Sequence, residues 1–244
     1  MRSFQIALTF LTRIPLPQPD EVTAEEFTAS QNYYAPVGML IGLLLWALAL
    51  AVVRVYPWPA GAALILIAEI VLTGGIHLDG FMDSMDGLLS ARTPERMLEI
   101  MKDSRVGAHA SISLVSLLLL KYALLVSLKA NALSLVILMP LVSRWAFQIG
   151  IIWFPYARRQ GLGKGFHESS RLIVFLLESV AVLALTIWLA GWGGALAALI
   201  AIVFVAIFDR RVARLLGGLT GDLYGATIEL SEMVFLLAAI PLLR

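Results

Sequence analysis

An all-α bundle of about seven membrane-spanning helices, with its polar active-site face on the cytoplasmic side, is the fold class this sequence predicts. Three observations carry that expectation. Of the 244 residues, 60% are apolar and 14% charged, against roughly 45–50% and 25% in soluble domains. The apolar residues fall into runs of about 20, the length that crosses a bilayer as a helix. Lys and Arg then concentrate in alternate connections between the runs, as they do in cytoplasmic loops. No internal repeat or shift of composition divides the chain, so residues 1–244 read as one integral-membrane domain. Cysteine is absent, which excludes disulfides, thiolate nucleophiles and cysteine-ligated metals.

Near the start, Phe4, Ala7, Leu8, Leu11 and Ile14 recur at helical spacing, with polar Ser3, Thr9, Thr12 and Arg13 between them. This segment reads as a short amphipathic helix, either lying in the membrane interface or packed conventionally. Its short apolar run, Arg13, Pro15 and the lack of an A-x-A site argue against a cleaved signal. Spans are expected at 36–55, 60–78, 111–128, 132–154, 172–190 and 194–208. A seventh, at 225–243, reaches the necessary length if it carries Glu229 and Glu232 at one end. One set of connections then holds Arg2 and Arg13; Arg92, Arg96, Lys102 and Arg105; Arg158, Arg159, Lys164 and Arg171; and Arg210, Arg211 and Arg214. The other set holds only Arg54, Lys129 and Arg244, which places the amino end in the cytoplasm and the carboxyl end outside.

The stretch HLDGFMDSMDG ends the second run on the cytoplasmic side. If the second helix continues through residue 87, Asp79, Asp83 and Asp86 stand at i, i+4 and i+7, within an arc of roughly 60°. Carboxylates about 5 Å apart repel by roughly 3 kcal/mol at an effective dielectric near 20, so a cation or a proton must sit among them. With only oxygen donors, no cysteine and no converging histidines, the expected cation is Mg²⁺, which completes its shell with water and substrate phosphate. Gly80 and Gly87 would let a ligand approach the helix closely. The competing explanation is a solvated, acidic helix end.

Residues 93–107 read as a short amphipathic helix, with Thr93 as N-cap, Pro94 in the first turn and Gly107 just past the end. Its exit carries Lys102, Asp103, Ser104 and Arg105, a mixture suited to phosphate and a metal. RRQGLGKGF fails as a phosphate-binding P-loop, because Arg158 and Gly165 replace the required Gly and Ser/Thr. It remains a basic loop able to cover phosphates, or simply a topology signal. Asp222, Glu229 and Glu232 form a candidate second acidic wall, and His77, His109 and His167 read as structural residues. Chemistry gathered on one face favours an enzyme over a channel.

Four stretches, FLTRIPLP, GGIHLDGFMDSMDGLLSARTPERMLEIMKDSRVGAHA, GLGKGFHE and GLTGDLYGATIELSE, closely resemble the cobalamin-5′-phosphate synthase family, also called adenosylcobinamide-GDP ribazoletransferase, across nearly the whole chain in family order. The resemblance implies a multi-pass enzyme of the bacterial inner membrane with its site facing the cytoplasm. It implies adenosylcobinamide-GDP and α-ribazole or its 5′-phosphate as substrates, GMP as leaving group and a requirement for Mg²⁺. No nucleic-acid partner is expected, the bilayer is the surrounding medium, and homo-oligomerisation is left open.

On that basis Asp79, Asp83 and Asp86 are expected to hold Mg²⁺ against the pyrophosphate. Lys102, Arg105, Arg158, Arg159 and Lys164, with Arg13 in a lesser role and Asp222 nearby, are the substrate contacts, and Asp103 or Glu229 accepts the ribazole hydroxyl proton. Two alternatives stay open. A CDP-alcohol phosphotransferase uses similar chemistry, but the chain lacks the Ala-Arg pair its motif needs after Asp79-Gly80. A membrane cation transporter would use intramembrane carboxylates, but outside the acidic end the spans offer little beyond Glu69, Lys121, Arg144 and Glu178.

Overall fold

The computed structural model describes residues 2–17, 21–128, 132–157 and 172–243, and the regular elements among them are all helices. In order they are α1 (Arg2–Leu11), α2 (Ala24–Ser30), α3 (Tyr34–Val52), α4 (Trp58–Thr73), α5 (Ile76–Leu88), α6 (Pro94–Ile100), α7 (Ala108–Val126), α8 (Ser134–Ala146), α9 (Gln148–Trp153), α10 (Leu172–Leu216) and α11 (Gly221–Leu242). The apolar stripe of α1 buries Ile6, Ala7, Leu8 and Leu11 against α2 and α3, and Arg2 pairs with Glu26 at 2.9 Å. The apolar stripe expected of this segment is therefore the face it packs with.

Helix α8 is the centre of the bundle: every residue from Leu135 to Ala146 is buried, under α3, α10 and α11. Close approach of α3 depends on Gly38 and Gly42, where an added Cβ would run into the carbonyl oxygens of Pro140 and Ile137. Lipid gives no hydrophobic reward for bringing two apolar helices together, so such small-residue contacts supply the packing energy instead. Gly42→Ala is therefore expected to destabilise the bundle by about 1–3 kcal/mol, the usual range for overpacking. A thermal melt in detergent reads this, and an unchanged midpoint would show that α3 steps back without cost.

Helix α4 begins in the Pro57-Trp58-Pro59 turn, where a proline's missing N–H has no intrahelical partner to lose. It ends at Gly74 and Gly75, whose φ angles of 66° and 70° are left-handed and cost a residue with Cβ far more than glycine. Helix α5 then leaves at 91° to α4. The expected continuous helix through residue 87 is thus two helices, but all three aspartates fall in the second, so their shared face survives the break.

Among the described residues, five helices are long and apolar enough to cross a membrane, or six if the bent pair α4–α5 counts as one crossing, rather than the expected seven. The difference lies in α10, which is counted once although its chain reverses at Gly191 (φ 62°, ψ −167°). A Cβ on Gly194 would lie 3.3 Å from Thr186 Cγ2, whereas residues eight apart in a straight helix are separated by about 12 Å. The first arm lies along α8 and α9, through Trp145–Ser179 (2.9 Å) and Gln148–Glu178 (2.9 Å). The second lies along α11, through Thr227–Asp209 (2.8 Å). Trp188 and Trp192, each 79% exposed, flank the reversal as interfacial aromatics do.

The two ends of the bundle differ in character. One holds the α10 reversal, the end of α11 against Gly193, and the start of α4, tied to Leu125 O by Trp58 Nε1 at 3.0 Å. The other collects α5, α6, the loop before α7 and the start of α11, together with Arg92, Arg96, Lys102, Arg105, Arg210, Arg211 and Arg214. Helix α11 starts at Gly221, capped by Thr220, so Glu229 and Glu232 lie inside the helix and are buried, not placed at its end as expected.

Candidate active site

Helix α5 has two working faces. Asp79, Met82, Asp83 and Asp86 form one wall of a cavity of about 280 Å³, Lys102, Asp103, Ser104, Arg105 and Val106 form the facing wall, and Ala110 of α7 completes it. The structure therefore brings together the three aspartates with Lys102, Asp103 and Arg105, as the sequence predicts. The other face packs: a Cβ on Gly80 would lie 2.8 Å from Asp222 O, one on Gly225 3.0 Å from His77 O, and one on Gly87 2.6 Å from Met101 Cγ. Gly80 and Gly87 thus admit a neighbouring helix and a loop side chain, not the ligand expected of them.

The cavity's basic wall follows from local rules. Thr93 accepts from Arg96 N at 3.5 Å and Pro94 opens α6, whose Met97 is buried with Met101. The helix stops at Ile100, sooner than expected, and Gly107 is the N-cap of α7 (φ −91°, ψ 174°) instead of the end of α6. Residues 102–106 are consequently a loop that overhangs the aspartates.

Several expected roles change. Arg105 grips Asp103 with Nη2–Oδ2 at 2.6 Å and Nε–Oδ1 at 2.9 Å. These hydrogen bonds lower the Asp103 pKa to about 2, so the carboxylate is a poor proton acceptor at neutral pH. Glu229 does not line the cavity; it is buried and its Oε2 lies 3.0 Å from Lys121 Nζ. Each of the two expected proton acceptors is thus paired with a cation in the structure, Asp103 with Arg105 and Glu229 with Lys121. Arg13 donates its backbone N–H to Leu72 O at 2.6 Å, packs over Gly74 beside the α4–α5 turn and does not line the cavity. Asp222 meets α5 through its backbone at Gly80, and Thr220 Oγ1 lies 3.4 Å from its Oδ2. Arg158, Arg159 and Lys164 lie outside the described residues.

A second constellation was missed by the sequence reading. Lys121 Nζ lies 3.2 Å from Glu69, 3.0 Å from Glu229 and 2.6 Å from Glu232. Glu232 also pairs with Arg144 and accepts from Ser143 Oγ at 3.0 Å, while Arg144 Nη2 reaches His77 Nδ1 at 3.2 Å. Five helices, α4, α5, α7, α8 and α11, meet in this buried network. Its signal was present as isolated charges at mid-span, which are costly in a membrane unless they face one another. His77 is structural, as expected, and fixes α5 two residues before Asp79.

Among the described residues no group of three or more His, Asp or Glu side chains is arranged as a ready metal cage. Mg²⁺ suits the cavity all the same, because it is normally held by one or two carboxylates plus substrate phosphates and water. Asp79 and Asp83 line it with hard oxygens, and Lys102 and Arg105, the latter paired with Asp103, supply its cations.

Fold and cavity together define a polytopic membrane protein with an acidic-and-basic, phosphate-suited pocket at one end of its helices. The family described as cobalamin-5-phosphate synthase matches residues 3–240. A protein named adenosylcobinamide-GDP ribazoletransferase from Desulfitobacterium hafniense (strain Y51) is 58% identical over 249 residues, covering 100% of this chain and 98% of that relative. Relatives of the same name from Brevibacillus brevis and Roseiflexus sp. (strain RS-1) are each 40% identical; the alignments cover 98% and 94% of this chain, and 98% and 86% of the relatives. No solved structure matches. The chain belongs to the cobalamin-5-phosphate synthase family. These matches give no support to the phospholipid enzyme or the transporter.

Proposed function

We propose that this protein transfers the adenosylcobinamide phosphate moiety from adenosylcobinamide-GDP to α-ribazole or its 5′-phosphate and releases GMP. Its relatives carry that activity in their name, and the observation in this chain that supports it is one cavity with aspartates on one wall and Lys102 and Arg105 on the other. The ribazole hydroxyl oxygen forms the new P–O bond, the P–O bond to GMP breaks, and the hydroxyl proton is lost. Lys102 and Arg105 bind and orient the anionic arm, with Arg158, Arg159 and Lys164 as further candidate contacts from the basic loop. Asp79 and Asp83 are the side chains that would hold Mg²⁺, which when bound neutralises phosphoryl charge and assists the leaving group. The loose transition state of phosphoryl transfer asks little of a base, and solvent at the open cavity takes the proton in place of Asp103 or Glu229.

We place the protein in the bacterial inner membrane with the cavity facing the cytoplasm, because the basic residues gather at that end. Purified protein is expected to form GMP and cobalamin, or its phosphate, in equal amounts only when both substrates and Mg²⁺ are present. GMP released as fast without ribazole would indicate a hydrolase, and no GMP under any condition would remove the assignment.

A further inference from the structure

We propose that Asp86 is a positioning residue for the phosphate-binding wall, acting by clamping the start of α7 to α5, and that it is not a metal ligand. The proposal rests on reading the cavity as a phosphoryl-transfer site.

The first N–H groups of a helix have no partner within it, and the N-cap of α7, Gly107, has no side chain to serve them. Asp86 supplies the cap from a different helix. Its Oδ2 accepts from Gly107 N at 2.6 Å and its Oδ1 from Ala110 N at 2.8 Å. Charge-assisted bonds of this kind are among the stronger hydrogen bonds, and a negative charge at a helix N-terminus gains further from the dipole. A Cβ on Gly107 would stand 2.5 Å from Oδ1 and 2.6 Å from Oδ2, so the contact requires glycine there. At the other end of the loop Met101 is seated against Gly87. Residues 102–106, which carry Lys102 and Arg105, are thus fastened at both ends to consecutive residues of α5. That fixes the distance between the basic wall and the acidic one. Each Asp86 oxygen accepts one backbone N–H, so the carboxylate is oriented by the start of α7 and not by a cation.

The test compares Asp86→Asn with Gly107→Ala, which disturbs the same contact while leaving every carboxylate in place. Asn presents an N–H₂ donor to one of the two backbone donors, so half of the clamp is lost. In hydrogen exchange without Mg²⁺ or substrate, both variants are expected to lose protection in the peptide spanning 107–110 while the rest of α7 keeps it. In turnover, both are expected to raise the KM for adenosylcobinamide-GDP about tenfold or more, with the Mg²⁺ concentration for half-activation unchanged. A raised Mg²⁺ requirement in Asp86→Asn, absent from Gly107→Ala, would make Asp86 a metal ligand and overturn the proposal. Unchanged exchange at 107–110 in both variants would overturn it as well. If Asp86→Asn does not fold, Asp86→Ala takes its place in the Mg²⁺ titration, and Gly107→Ala is read by the exchange at 107–110. Absence of GMP formation by the unmodified protein would refute the functional reading only, since the exchange experiment does not depend on it.

Discussion

Lys121→Met is expected to prevent recovery of folded protein. Its ammonium is shared by three carboxylates, Glu69, Glu229 and Glu232, all within 3.2 Å and all buried. Methionine fills a similar volume, but it leaves Glu232 with Arg144 and takes from Glu69 and Glu229 the ammonium they share, and removing one partner of a buried ion pair costs about 3–5 kcal/mol. A domain's whole stability is about 5–15 kcal/mol. The measurement is the monodisperse fraction in detergent and its thermal midpoint. Glu69→Gln serves as the comparison, since Lys121 then keeps two carboxylates, and it is expected to be clearly milder. A Lys121→Met protein as stable as the parent would mean that the network does not hold the five helices together.

Asp83→Asn is expected to lower kcat/KM by about a hundredfold or more, or about 2.7 kcal/mol of transition-state stabilisation, with no loss of membrane insertion or thermal stability. Asp83 is the middle member of the carboxylate face and lines the cavity opposite Lys102 and Arg105. The substitution keeps shape and removes charge, so a loss confined to turnover and Mg²⁺ dependence reads the electrostatic contribution of this carboxylate. GMP formation across a Mg²⁺ titration reads the effect. Full activity at ordinary Mg²⁺ would take Asp83 out of the site.

The two experiments probe neighbouring levels of one construction. His77 ties the first turn of α5 to Arg144 within the membrane, and Asp86 ties its last turn to α7 at the bundle end. Asp79 and Asp83 lie between these anchors. Carboxylates held on such a rigid base need not be ordered at the moment a ligand binds.

Much of this was legible in the residues. Apolar runs of spanning length, the sorting of Lys and Arg, and the i, i+4, i+7 spacing of Asp79, Asp83 and Asp86 are local or periodic features, and a helix turns periodicity directly into shared faces. Two local signals were present but passed over: the Gly74-Gly75 pair that bends α4 into α5, and the Gly38-x-x-x-Gly42 pair that admits α8.

The sequence alone therefore determined the class of fold, the end of the bundle where acidic and basic side chains gather, the carboxylate face and the family to which its motifs belong. Only the tertiary structure decided which charges are already spoken for. Asp103 belongs to Arg105, Glu229 to Lys121 and Asp86 to the first turn of α7. Gly80 belongs to the backbone of Asp222. The physical reason is the range of each effect. Hydropathy and helical period act over one or two turns, so they can be read along the chain. The partner of a charge in a low-dielectric interior is whichever opposite group the packing brings within about 3 Å. For Glu229 that group lies 108 residues away.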